Sequence, residues 1–228
     1  KSSQDCATTE ATPDTGAFQQ DSGSDGIVSM EAENFDANVA GANGHDWVLI
    51  SDANATGGEA MESQPDNGTN QDTDYAANSP RLDFQVDFVK TGTHYIWVRG
   101  WATGGTGDSC HVGLDGAEIS TSDRMSEWGS SYSWGNDTMD SAVATFNVSS
   151  TGVHTVNVWM REDGFIADKV VLTVNSSYTP SGDGPAESPR DGGGDTTPPA
   201  APTGLVATAA SDSQIDLDWD DNTEGDLD

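Results

Sequence analysis

The sequence predicts an all-β sandwich. Three observations carry that prediction. Apolar residues recur with period 2 in short runs, turn-forming Gly, Asn and Asp separate the runs at roughly ten-residue spacing, and the spacing of an amphipathic helix is nearly absent. Residues 1–25 are rich in Ser, Thr, Asp and Gln and read as a disordered tail or linker. The foldable stretch, 26–175, opens with the segment Ile27 to Phe35. Leu82, Phe84, Val86 and Phe88 then alternate with Asp83, Gln85 and Asp87, giving one dry and one wet face. His94, Ile96 and Val98 alternate with Tyr95, Trp97 and Arg99. Val112 and Leu114 run into Asp115-Gly116, a hairpin-turn pair. Ala142, Ala144, Phe146 and Val148 form a further face. His154, Val156, Val158 and Met160 form the next, with Thr155, Asn157, Trp159 and Arg161 opposite. Val170 to Val174 is the closing strand.

Residues 176–198 are a Pro/Gly/Ser linker by composition. In 199–228, Pro199, Pro202 and Leu205 resemble the first strand of a fibronectin type III domain, and Ile215, Leu217 and Trp219 its second. Such a domain needs about 100 residues, so this truncated start is expected to be disordered or loosely attached.

Composition excludes several functions. The 228 residues carry 39 Asp plus Glu against 8 Lys plus Arg, a formal net charge of −31. So little positive charge argues against a nucleic acid or an anionic membrane as partner. An acidic surface stays soluble in high salt, which suits a marine bacterial source. No apolar run is long enough to span a bilayer. The two cysteines, Cys6 and Cys110, form no disulfide framework, and whether they pair stays open. Seven Trp are many for this length, and each is either core or a flat surface for a ligand ring.

The segment Ile27-Val28-Ser29-Met30-Glu31-Ala32-Glu33-Asn34-Phe35 resembles the first strand of family-6 and family-35 carbohydrate-binding modules, and of the C-terminal module of family-115 glycoside hydrolases. Gly57-Gly58, the strand Gly92 to Arg99, Val112 to Gly116, Gly152 to Val156, and Ala167 to Leu172 continue the likeness in order. His94 stands where Tyr is usual. The resemblance implies a jelly-roll, galactose-binding-like sandwich that is secreted or cell-surface and monomeric. It would be appended to a catalytic domain and target a polysaccharide or oligosaccharide. It also implies a structural calcium on Glu31, Glu33 and Asp168. Glu31 and Glu33 would share one side of a strand by period-2 alternation, with carbonyls from Leu49 to Asp52 completing the oxygen shell. The alternative is three solvated carboxylates.

Sugar sites in such modules lie either in loops at one end of the sandwich or on an exposed sheet face, where an aromatic ring meets the sugar's C–H face. The loop candidates are Trp101 and Asp108, then Trp128, Tyr132 and Trp134, then Arg161, Glu162 and Asp163. Trp97 and Trp159 are the sheet-face candidates if their strands are neighbours. Otherwise each is covered by a loop. An anionic ligand would call on Arg124 or Arg161. A neutral chain is the simpler expectation. An adhesion spacer without a glycan is the alternative function. A polysaccharide hydrolase or lyase is a second alternative, but Cys110 and His111 point to opposite faces and no H-E-x-x-H, Walker or dinucleotide glycine motif is present. No catalytic residue is expected.

Overall fold

The computed structural model describes residues 16–102, 107–126, 128–190, 204 and 206–218. The described residues fall into two units, one spanning 16–190 and one spanning 204–218. In chain order the strands are β1 (Phe18–Gln19), β2 (Val28–Glu31), β3 (Ala37–Val39), β4 (Asp46–Ser51), β5 (Glu59–Gln64), β6 (Arg81–Phe88) and β7 (Gly92–Ala102). They continue with β8 (Cys110–Leu114), β9 (Ser133–Gly135), β10 (Thr145–Val148), β11 (Gly152–Met160), β12 (Phe165–Thr173), β13 (Val206–Ser211) and β14 (Gln214–Asp218). One four-residue helix, α1 (Tyr75–Asn78), precedes β6.

The first unit is the expected sandwich. One sheet runs β1-β6-β11-β8, with β3 also on β6. The other runs β10-β7-β12-β5-β4, with β2 on β12 and β9 on β7. Between them lies one core: Leu82, Phe84, Val86 and Phe88 of β6 and Val156 and Val158 of β11 face Ile96 and Val98 of β7 and Val170 and Leu172 of β12. These are the residues that alternate in sequence, because period-2 spacing sends them all to one side of a strand. His94 joins them; it is buried and shares a 2.8 Å hydrogen bond with Gln20. Cys110 is buried in the same core, and burial pushes its thiol up. Cys6 lies outside the described residues.

Three boundaries differ from the sequence reading. The closing strand begins at Phe165, not Val170, and all nine of its residues are buried. A strand covered on both faces shows no alternation to read. Residues 16–25 of the stretch assigned to the tail belong to the sandwich: Phe18 and Gln19 pair in parallel with Val86 and Asp87, and Phe18 is in the core. The linker assigned to 176–198 is, over 176–190, a strap laid on the sandwich. Ser188 N–H donates to Ser29 O, Gln19 N–H to Pro189 O, and Lys169 Nζ to Asp183 O and Pro185 O. Arg190 pairs with Asp36 at 2.7 Å and lies 3.8 Å over the Phe18 ring.

In the second unit, β13 and β14 form an antiparallel hairpin, with Val206 opposite Asp218. Ile215 and Leu217 lie on β14, and Val206 and Ile215 remain exposed. Pro199, Pro202, Leu205 and Trp219 lie outside the described residues.

Candidate functional site

On β7 the core residues Ile96 and Val98 leave Trp97, Arg99 and Trp101 on the outer face of the sheet. Trp101 packs there beside Ile166 of β12 and Ile50 of β4, in a small cluster separate from the main core. The chain before β9 folds back over this face, held by Ala102 N–H donating to Gly129 O at 3.0 Å. It brings Tyr132 edge-on to Trp101 at 6.0 Å, with the Arg99 guanidinium 4.8 Å from the Tyr132 ring centre. From the far side, the Tyr132 hydroxyl donates to Asp52 Oδ2 at 3.2 Å. Asp52 also accepts from Asn54 N–H at 2.9 Å and from the Asn54 amide at 3.0 Å. These residues with Ser130 and Ser131 line a cavity of ≈ 460 Å³, a size typical of small-molecule sites.

The electrostatics are set by those contacts. The Asn54 N–H is the main reason the Asp52 carboxyl sits below its ordinary value, so Asp52 is ionised. Burial lifts the Tyr132 phenol well above its usual range, with the neighbouring Asp52 charge adding to it, so Tyr132 stays a neutral donor. Arg99 is turned inward: Nη1 lies 2.5 Å from Asp168 and Nη2 3.3 Å from Asp183. The cavity thus joins two aromatic rings to hydroxyls, an amide and an ionised acceptor.

Of the sequence candidates, Trp101 and Tyr132 meet here, and the others do not. Trp128 is a correction: it is 3% exposed, packs at 4.7 Å on Phe165, and donates from Nε1 to Val98 O and Ser133 O. It pins the Gly/Ser segment to the core instead of facing a ligand. Trp134 is covered by the strap, donating to Gly182 O at 3.0 Å, and a Cβ on Gly184 would come within 2.5 Å of its ring. Asp163 is likewise inward. It accepts from the Asn67, Gly68 and Thr69 amides and contacts His45 at 3.2 Å. Burial pushes that carboxyl up, but the loop amides and His45 bring it below its ordinary value. Arg161 is buried between Asp72 and Ser109.

Asp108 and Glu162 sit in hydrogen-bonding contact beside Arg161. Burial first, then Glu162, raises the Asp108 carboxyl. Glu162 is pushed up by burial and brought below its usual value by Ser109, Asp108 and Arg161. A touching pair lacks the separation of roughly 5–10 Å that a glycosidase needs between its two carboxyls. Trp97 and Trp159 form no platform, since they stand in different sheets. Trp159 is fully buried, edge-on to Tyr75 of α1 at 5.4 Å. Ser130 and Ser131 lie inside the expected Trp128–Trp134 segment, whereas Arg99, Asp52 and Asn54 are lining residues that the sequence reading does not name. The available signal was the shared parity of Arg99 with Trp97 and Trp101.

A cluster of acids lies next to the cavity. β2 ends at Glu31 and a 3₁₀ turn takes Ala32–Asn34, so Glu33 reaches the cluster from a turn and not by strand alternation. Glu31 Oε1 contacts Lys169 Nζ at 2.8 Å. Asp168 accepts from Thr56 N–H at 2.7 Å, from Thr56 Oγ1 at 3.1 Å and from Arg99. The strap adds Glu187, which accepts from Glu31 N–H at 3.0 Å. Glu31 Oε2 and Glu33 Oε2 are buried with no hydrogen-bond partner. Burial chiefly, then the charges of Glu31, Asp168 and Glu187, pushes Glu33 up to about 7. With Glu31 and Asp168 turned to Lys169 and Arg99, no group of three or more His, Cys, Asp or Glu among the described residues is arranged to hold a metal.

The family model described as the glycosyl hydrolase family 115 C-terminal domain matches residues 22–187. Uncharacterized protein P23 of Formosa agariphila is 36% identical over 121 residues, which is 49% of this chain and 29% of that protein. The chain therefore spans under a third of the curated relative's length. The GH26-CBM35 β-(1,4)-mannanase of Podospora anserina is similar at 17% identity and TM-score 0.48, over 68% of this chain and 29% of that one. A family 35 carbohydrate-binding module from Clostridium thermocellum is similar at 13% identity and TM-score 0.45, over 64% of this chain and 96% of that one. The C-terminal CBM6 of LamC, a marine laminarinase from Zobellia galactanivorans, is similar at 14% identity and TM-score 0.42, over 64% and 98%.

Proposed function

The chain belongs to the family of glycosyl hydrolase family 115 C-terminal domains, and from that premise we propose that it is a non-catalytic carbohydrate-binding module. It holds part of a polysaccharide in the cavity under Trp101 and Tyr132 and so targets an attached polysaccharide-active enzyme to its glycan. The observation that carries this reading is the cavity itself, where two rings packed edge-on at 61° stand beside Asp52, Asn54, Ser130 and Ser131. An aromatic face suits the C–H side of a pyranose, and the polar rim suits its hydroxyls. The module works outside the cell, as a monomer. No helix among the described residues is long and apolar enough to cross a membrane.

A structural calcium is part of the same proposal. Glu31, Glu33 and Asp168 would hold it once Lys169 and Arg99, the present partners of Glu31 and Asp168, swing away. The two orphaned buried oxygens, Glu31 Oε2 and Glu33 Oε2, fit an oxygen-seeking cation, because a buried carboxylate without a partner is unfavourable. Asp168 as it stands is satisfied by Thr56 and Arg99. The cation would fasten the start of the domain to its last strand, with no part in any reaction.

The test is titration calorimetry and affinity electrophoresis with soluble xylan, mannan, galactan and laminarin. Retention by at least one polymer is expected, reduced about tenfold or more in Trp101→Ala, because one stacked ring supplies a kcal/mol or more. Asp52→Ala, which leaves the Trp101 packing in place, should also weaken binding. Retention unchanged in both variants would move the sugar elsewhere. No retention by any polymer, with or without calcium, would leave a spacer module.

A further inference from the structure

If the cavity holds a glycan, its charge limits which one. Asp52 is an ionised carboxylate on the cavity wall, bound only by neutral donors: Asn54 N–H, the Asn54 amide and the Tyr132 hydroxyl. The single cation in the lining is Arg99, whose two terminal nitrogens are taken by Asp168 and Asp183. The Arg99 side chain is 10% exposed and Asp168 is fully buried, so the Arg99 charge is already balanced within the cavity wall, and Asp183, 77% exposed, adds a further negative charge beside it. One carboxylate facing the cavity with no free cation beside it leaves the site net negative.

Among the described residues, the other basic side chains offer no substitute. Arg124 pairs with Asp140 at 2.6 Å, Arg161 with Asp72 at 2.8 Å, Lys169 with Glu31 at 2.8 Å, and Arg190 with Asp36 at 2.7 Å. Arg81 pairs with Asp83 in the opposite sheet, and Lys90 follows β6 there. Arg124 and Arg161, the residues that an acidic sugar would need, are therefore committed to protein carboxylates.

We propose that this cavity selects uncharged, hydroxyl-rich glycan units and rejects uronate and sulfated ones. This rests on the sugar-binding reading above and adds the ligand class to it. A sugar hydroxyl donates to Asp52, whereas a sugar carboxylate or sulfate meets like charge in a partly desolvated site. Two unit charges at such range are strongly coupled, and the repulsion weakens as salt screens it.

The test compares matched pairs by calorimetry on the full chain. The probes are neutral xylo-oligosaccharides against the same chains bearing glucuronic acid, and neutral galacto-oligosaccharides against their sulfated forms. The acidic member of each pair should bind about tenfold more weakly at low salt, with the gap narrowing at high salt. Asp52→Asn, which keeps the shape but removes the charge, should narrow the gap at low salt as well. An acidic probe that binds more tightly than its neutral partner, and loses that binding in Trp101→Ala, overturns the charge selection while leaving the sugar reading intact. Equal binding of both members, unaffected by Asp52→Asn, also overturns it. Absence of binding by every probe overturns both.

Discussion

The Arg99 guanidinium reaches through the outer sheet face to the Asp168 carboxylate at 2.5 Å, and Thr56 closes the other side of the same acid. This pair joins the cavity wall to the acidic cluster at the end of β2, so damage to either partner is felt at both places. Asp168→Ala leaves Arg99 buried without its main partner. Denaturant unfolding should show a loss of about 3–5 kcal/mol, the usual consequence of breaking one half of a buried pair. Asp168→Asn should lose less, because it keeps an acceptor for Thr56.

His111 should make the domain acid-sensitive. Its ring stacks on Tyr75 at 3.8 Å, Nδ1 accepts from Arg124 N–H at 2.9 Å, and Nε2 faces Gln71 O at 2.9 Å. Nδ1 must therefore stay unprotonated, and burial first of all lowers the imidazole to about 4. The unfolded chain takes up that proton near pH 6.5, before the folded chain does. The stability contributed by the neutral ring is thus full above pH 6.5 and is lost as pH falls toward 4. The loss is of order 3 kcal/mol, at about 1.4 kcal/mol per unit. His111→Gln should flatten the dependence of unfolding free energy over that window.

Calcium should stabilise the domain through Glu31 and Glu33. A ligand at a hundred times its Kd raises stability by about 2.7 kcal/mol. Thermal unfolding with and without millimolar calcium should show an upward shift in Tm. Glu33→Gln should abolish the shift while raising the metal-free Tm, since it removes a buried carboxyl lifted to about 7. No shift with calcium in the parent chain would refute the metal.

The strap should behave as part of the domain. Limited proteolysis is expected to leave a resistant fragment extending to Arg190, not one ending near Asn175. Arg190→Ala removes the Asp36 ion pair and the ring contact with Phe18, and should lower stability by about 1–3 kcal/mol.

Much of this fold was legible because alternation survives wherever one face is dry and the other wet. Leu82 to Phe88 was readable for that reason, and His154 to Met160 because polar Thr155 and Asn157 alternate with apolar residues even though Val156–Met160 are all buried. Phe165-Ile166-Ala167 was not, since a strand buried on both faces has no contrast. The strap escaped because Ser188, Glu187 and Arg190 are ordinary linker residues, and only the fold supplies their partners Ser29, Glu31 and Asp36. Within the site, Trp101 and Tyr132 stood out as aromatics among Gly and Ser. Trp128 has the same local sequence character, and only the distance to Phe165 shows that it points inward. Asp52 and Arg99 lie far apart in the chain, so their meeting at the cavity depends on strand order, which no local pattern carries.

Residues 18 and 190 face each other as an antiparallel bridge, and Arg190 Nη1 donates to Gly16 O at 2.9 Å. Residues 16 and 190 therefore lie side by side at one point of the sandwich. A tensile load applied between residues 16 and 190 would fall first on these few bonds, which open one after another like a zipper. Behind them, the load on residue 16 passes to β1 and its pairing with β6. The strap and the first strand thus share one point of attachment, so a pull on either end is felt at the other.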